Sequence, residues 1–293
     1  MTTSSVLYDA PGPRAQLRNR AFAVAIVAVI ATLGAWVTWQ FAGKGQLTAA
    51  KWRPFLTADL WSTYIVPGAI GTLTAAAVSI VLASALGLAL GAGRLSQSRP
   101  TRWACAVIVE FFRAVPVLIM MLFAYFLFAL YDVFPSKELA LAGVITGLTL
   151  YNAAVIAEIV RSGVHALPKG QREAAAALGL RSGQTMRSIL LPQAITSMLP
   201  VLVSQMVVVL KDTAIGYQIT FVEMVRQGTN IGSTYGNYIP ALIVVAILMI
   251  SVNFALSALA TRLESRLRRS RRGPELVDVE TAQAEGTIGT PTV

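Results

Sequence analysis

Cysteine and histidine occur once each in this 293-residue chain, as Cys105 and His165. A single cysteine excludes an internal disulfide framework. One cysteine and one histidine also leave too few ligands for the usual zinc site. Acidic residues are sparse, 14 against 24 lysines and arginines, and charged residues make up only 13% of the chain. Soluble domains carry about 25%. There is no G-x-x-x-x-G-K-[ST] phosphate loop, so the chain is not expected to hydrolyse ATP itself. No acid, histidine and nucleophile set suggests an enzyme. No repeat of obvious period, inverted symmetry or soluble domain is evident, which argues against many secondary transporters. The N-terminus resembles no cleaved signal: prolines and three arginines precede an apolar run too long for a signal core.

What is abundant is apolar sequence, at 55% of residues, gathered into long runs. Crossing a bilayer takes about 20 such residues. Six spans are expected, near Ala21–Phe41, Tyr64–Gly93, Trp103–Tyr131, Glu138–Val160, Pro192–Tyr217 and Tyr238–Ala260. The second is rich in Ala, Gly and Ser, which let helix backbones approach closely inside a bundle. The third contains Glu110, Arg113 and Pro116, and the proline is expected to kink it.

The net charge of +10 sits beside these spans, which favours membrane orientation over nucleic-acid binding. With six spans, seventeen lysines and arginines fall on one side and five on the other. The basic side is the cytoplasmic one by the positive-inside rule, so both termini are expected there. Residues 1–20 form a cytoplasmic tail, and residues 261–293 a basic and then mobile one. Mobility is also expected of Met1–Gln16. Trp36, Trp39, Trp52 and Trp61 fall near the outer interface, where aromatics anchor.

The loop between spans four and five, residues 161–192, is the largest on the basic side. Leu167-Pro168-Lys169-Gly170 reads as a turn. Gln171–Leu178 has strong helix formers throughout, with Glu173 in the first turn and Gly179 placed to end the helix. Ser182 can cap a second short helix leading to Pro192, where the next span begins. An alanine surface is flat and loses little side-chain entropy on docking. The hairpin either packs on its own bundle or docks a cytoplasmic partner.

Several motifs give this chain a family resemblance. Glu173-Ala174-Ala175, three residues, Gly179, nine residues, then Ile189-Leu190-Leu191-Pro192 resembles the EAA loop of ABC-transporter permease subunits. Ala157-Glu158-Ile159-Val160-Arg161-Ser162-Gly163, Pro168-Lys169-Gly170-Gln171, Leu191-Pro192-Gln193-Ala194, Leu210-Lys211-Asp212-Thr213 and Glu110-Phe111-Phe112-Arg113-Ala114-Val115-Pro116 resemble the polar amino-acid branch. The N-terminal stretch VLYDAPGPRAQLRNR is similar to permeases of actinobacterial glutamate uptake systems.

The resemblance implies an all-α integral membrane fold of the type I, MetI-like importer class. Residues 64–260 would form its five-span core, with 21–41 an added N-terminal helix. It implies a bacterial plasma-membrane location and no bound cofactor, ATP being held by two separate subunits. A second permease chain, identical or related, and an extracytoplasmic amino-acid-binding protein complete the implied partners. It assigns ATPase coupling to Glu173, Ala174, Ala175 and Gly179. Ala214 stands where the branch usually has Ser, and the usual Asn near Ser204 is absent; both bear on the choice of substrate.

In some relatives of the branch this chain resembles, residues around this motif contact an amino acid inside the membrane, and the resemblance makes Lys211, Asp212 and Thr213 candidates for the substrate pathway; ionisable groups in a span cost a few kcal/mol or more and normally face partners or water. Adjacent helical residues point about 100° apart, so Lys211 and Asp212 need not pair with each other. A charge pair locking bundle helices is the competing reading. Arg113 and Glu110 are further pathway candidates, although their spacing also fits an intrahelical pair. Glu158 and Arg161 repeat that spacing and read as structural; His165 reads as a solvated loop residue.

Overall fold

The computed structural model describes residues 12–269, and every regular element among them is helical. We number nine main helices: α1 Pro13–Gly43, α2 Ala58–Arg94, α3 Arg99–Ala114, α4 Val117–Leu130, α5 Leu139–His165, α6 Gly170–Ala177, α7 Ser182–Ile219, α8 Met224–Tyr235 and α9 Tyr238–Arg269. Five are long and apolar enough to cross a membrane, and six spans result if α3 and α4 count as one broken crossing.

The bundle is organised around α2 and α5, which run side by side in the same direction. From Val66 onward the buried residues of α2 are Gly68, Thr72, Ala75, Ala76, Ser79, Ala83, Gly87 and Gly91, a stripe at helical spacing. At Gly87 a side chain would lie 2.7 Å from Ile156 and 2.8 Å from the Ala153 carbonyl, so only glycine permits this approach. The small-residue reading of this span therefore holds. Helix α7 runs antiparallel against α5, with Val209 beside Leu148 in one apolar cluster and Ala194 beside Val164 in another.

The third span departs from expectation. Its two halves meet at Val115-Pro116 with a bend of 99°, far beyond a kink. Val115 is extended, as the residue before a proline prefers to be, and Pro116 then caps α4. Helix α3 consequently crosses the ends of α2 and α5, burying Val109 against Ala154 and Ala157. Helix α4 alone runs along α5.

Helix α1 has no buried residue. It begins at Pro13, so Arg14–Gln16, expected to be mobile, are helical. Helix α9 likewise carries the basic sequence on to Arg269. The tail beyond it lies outside the described residues. At the end remote from the arginine-rich turns, Phe55, Leu60 and Ile65 pack with Met224, Ile231, Ala241 and Val245. Trp52 and Trp61 donate their indole N–H to the carbonyls of Gln46, at 3.0 Å, and Phe55, at 2.8 Å, which fixes them in this cap.

Candidate functional site

The hairpin between α5 and α7 has a defined beginning, end and root. Helix α6 ends in a Schellman motif: Gly179 N donates to Ala176 O at 2.9 Å, and Leu180 N to Ala175 O at 3.1 Å. Gly179 sits at φ +73, a left-handed conformation that favours glycine, with open space around it. Its role is to turn the chain. The next cap differs from expectation: Arg181, not Ser182, is the extended capping residue, and the Gln184 side chain accepts from its backbone N–H at 2.9 Å. From Ser182 the helix passes through a wide turn, Met186–Leu190, directly into the long span.

Within Glu173-Ala174-Ala175, only Ala175 is buried; Glu173 and Ala174 face outward. Thr185 and Leu190 are also buried, and the hairpin root packs on Val164, Leu167 and Leu95. Gln193 donates to Gln171 at 3.3 Å, tying the first turn of α6 to the start of the span. The tip residue Leu178 is 79% exposed. The composition of the loop did not single out this exposed apolar side chain.

Glu110 and Arg113 belong to a five-residue ion-pair network across the arginine-rich end of the bundle. Glu110 meets Arg94 at 3.0 Å and Arg113 at 3.3 Å. Glu158 meets Arg161 at 2.6 Å, Arg94 at 2.7 Å and Arg113 at 3.9 Å. The intrahelical spacings therefore do pair, and Arg94 joins them between helices. Residues Glu110, Arg113, Tyr151 and Glu158 also line a cavity of about 470 Å³ beneath the α3–α4 bend.

Lys211, Asp212 and Thr213 stand at the far end of α7. Thr213 is fully buried and its hydroxyl donates to the Leu210 carbonyl at 2.7 Å. Lys211 is exposed on the isolated chain, and Asp212 is half-buried. No described carboxylate lies within ion-pair distance of Lys211. Two polar features escaped the sequence reading. Gln205 donates to buried Asn152 at 2.7 Å, joining α7 to α5. Glu223 is fully buried, and its carboxylate accepts from Val225 N at 2.7 Å and Arg226 N at 2.6 Å, capping α8. Burial pushes its carboxyl up to about 7, against the pull of those two bonds and of the Arg226 charge. The three-residue spacing of Glu223 and Arg226 was the signal that could have drawn attention to the second.

A multi-span helical body, a broken third span and a helical hairpin rooted between two spans together define a membrane transport permease. The chain belongs to the binding-protein-dependent transport system inner membrane component family, whose model matches residues 83–269. It is 57% identical over 235 residues to the glutamate transport system permease protein GluD of Corynebacterium glutamicum, covering 80% of this chain and 86% of that one. It is 36% identical to the probable glutamine ABC transporter permease protein GlnP of Bacillus subtilis, covering 71% and 94%. Among solved structures it resembles an amino acid ABC transporter at 28% identity and TM-score 0.65, covering 72% of this chain and 98% of that one. The MetNI methionine ABC transporter in an inward-facing form shares the fold at 21% identity and TM-score 0.60, covering 72% and 99%. These relatives are ABC permeases, not secondary transporters, and the ion-gradient reading is set aside.

Proposed function

We propose that this chain is the membrane-spanning subunit through which an ATP-driven importer admits glutamate or a closely related polar amino acid. The observation that carries the substrate is the 57% identity to a glutamate permease, which spans most of both chains. The motor is separate: ATP is bound and hydrolysed by two partner subunits, and their closure moves the hairpin of Glu173, Ala174, Ala175 and Gly179. Exposed Glu173, Ala174 and Leu178 form its outward face, whereas Ala175 anchors it to the bundle.

The continuity of α7 supports the mechanical step. Ser182 and Lys211 lie on one helical rod, about 45 Å long at 1.5 Å per residue. A displacement at the hairpin reaches Lys211, Asp212 and Thr213 without crossing a loop. The absence of an ion-pair partner for Lys211 among the described residues favours a ligand-facing role over a charge pair locking this bundle. A cation and an anion on one pathway suit the two ends of a zwitterion. Glu110 and Arg113 line the inner vestibule, with their network holding the α3–α4 bend.

The chain works in the bacterial plasma membrane, embedded in lipid and without nucleic acid, with both termini cytoplasmic. A second permease chain, identical or related, completes the pathway, and an extracytoplasmic binding protein delivers the amino acid to its outer mouth. Transport then alternates access between the two sides. Reconstitution into liposomes with the ATP-binding subunit and the binding protein tests this. Glutamate-stimulated ATP hydrolysis with accumulation of labelled glutamate is expected. Accumulation driven by a proton or sodium gradient without ATP overturns the proposal.

A further inference from the structure

A second cavity, of about 460 Å³, opens between the α2–α3 turn and the coupling hairpin. Arg94, Gln97 and Arg102 line it from the turn, and His165, Arg172 and Ser182 from the hairpin, with apolar residues at its floor. No carboxylate lines it. Glu173, next in sequence to Arg172, faces away from it. Glu110 and Glu158, the acids that reach Arg94, are themselves engaged in ion pairs.

The cations of this cavity are unequal. Arg94 is already neutralised by two carboxylates. Among the described residues the Arg102 side chain donates only to the Ser96 carbonyl, at 3.2 Å, and meets no carboxylate. The Arg172 side chain forms no hydrogen bond or ion pair with any described residue. Two unneutralised guanidinium groups, joined by donors from Gln97 and Ser182, share one concavity. Guanidinium forks match phosphate oxygens in geometry as well as charge. The cavity also lies where α2 and α5 end and α7 begins, the level at which inner-leaflet headgroups sit. Basic pockets between spans on that side are suited to anionic lipid headgroups.

We propose that this cavity is a binding site for a phosphate-bearing anion, held by Arg102 and Arg172 across the gap between the α2–α3 turn and the coupling hairpin. The shared chemistry is a phosphate monoester or diester. Two sources supply it: the headgroup of an anionic inner-leaflet lipid, or free phosphate. Its volume exceeds that of a bare phosphate and leaves room for a glycerol headgroup. The bound anion bridges two elements that otherwise repel each other, so it stiffens the hairpin against the bundle. That last consequence, for coupling, rests on the function proposed above; the binding does not.

Native mass spectrometry of the full chain in detergent tests the site with three probes: phosphatidylglycerol, phosphatidylcholine and inorganic phosphate. The variant is R102Q/R172Q. The control is R14Q/R18Q, which removes the same charge from α1. One tightly retained phosphatidylglycerol is expected on the wild type and the control, with weaker retention of phosphatidylcholine. R102Q/R172Q lowers the apparent affinity about thirtyfold, the effect of two cations at a lipid surface. If the double variant does not fold, R172Q alone, on an exposed helix, carries the test with about a fivefold loss. If inorganic phosphate binds the wild type as tightly as phosphatidylglycerol and displaces it, the site stands with the free anion as its source. Equal retention of every probe by variant and wild type overturns the proposal. So does complete displacement of both anions by the ATP-binding subunit, since the cavity is then a protein contact. Binding is read without transport, so failure here leaves the import reading untouched.

Discussion

Gln205 on α7 donates a hydrogen bond to Asn152 on α5 at 2.7 Å, and Asn152 donates in turn to the Leu148 carbonyl at 2.8 Å. Ala75 and Leu148 share one apolar cluster, and Ala83 and Ala153 another, so Ser79 lies at the same level as Asn152. There the buried hydroxyls of Ser79 and Thr149 have no hydrogen-bond partner. A polar layer thus crosses the middle of three spans, between apolar clusters.

This layer predicts non-additive stability. Asn152→Leu leaves the Gln205 amide unpaired in apolar surroundings and is expected to cost about 1 kcal/mol. Gln205→Leu is expected to cost a similar amount, but the double substitution less than the sum, because no donor or acceptor is then stranded. Thermal unfolding of the four purified proteins in detergent checks this. Strict additivity would remove the case for a coupled pair.

The hairpin tip separates docking from folding. Leu178 is largely exposed and belongs to no apolar cluster among the described residues, so Leu178→Asp is expected to change thermal stability by no more than about 0.5 kcal/mol. It should nonetheless weaken co-purification of the ATP-binding subunit about tenfold, as burying a carboxylate in a protein groove is costly. Unchanged co-purification would place the docking surface elsewhere.

Gly179→Ala acts through the backbone instead. The left-handed conformation costs a residue with a Cβ roughly 1–2 kcal/mol, with no clash to add to it. The cost is confined to the α6–α7 turn, so the bundle should fold while the hairpin shifts. The expected outcome is normal membrane level, retained ATP hydrolysis and reduced glutamate uptake. Parallel measurement of hydrolysis and uptake in proteoliposomes reports the ratio.

Lys211→Ala is expected to reduce uptake kcat/KM at least about tenfold, with Lys211→Arg intermediate, at equal membrane abundance. A lysine that merely anchored lipid or a helix end would tolerate arginine fully. Wild-type kinetics for both variants would remove Lys211 from the pathway.

The sequence was readable where one local rule governed the outcome. The glycine that ends α6, the small-residue stripe of α2 and the pairing of Glu110 with Arg113 all follow from spacing along one helix. The right-angle break at Val115-Pro116 was only half visible. A proline predicts a disturbed helix, but the bend depends on Val109 finding Ala154 and Ala157 across the bundle. Helix α8 was missed for a related reason. It is short and polar on one face, and its cap, Glu223, is an acid without the usual serine or aspartate signature. Arg94 entered the ion-pair network only through tertiary contacts with Glu110 and Glu158, 16 and 64 residues away.

Glu223 also gives the chain a predicted pH dependence. Its carboxyl is raised to about 7 by burial, above the ordinary value of 4.5. The folded state therefore holds this proton more tightly than the unfolded chain does. That contribution to stability is fully present below about pH 4.5 and is lost as pH rises through about 7, with a ceiling of about 3 kcal/mol. Arg226 is the charged group acting on it. Glu223→Gln keeps an oxygen to accept from the backbone but cannot ionise. Thermal unfolding of the wild type should fall between pH 5.5 and 8.5, while the variant stays flat by comparison and becomes the more stable protein at the upper end. Parallel curves for the two proteins would show that the carboxylate is ionised throughout, held by its two backbone donors.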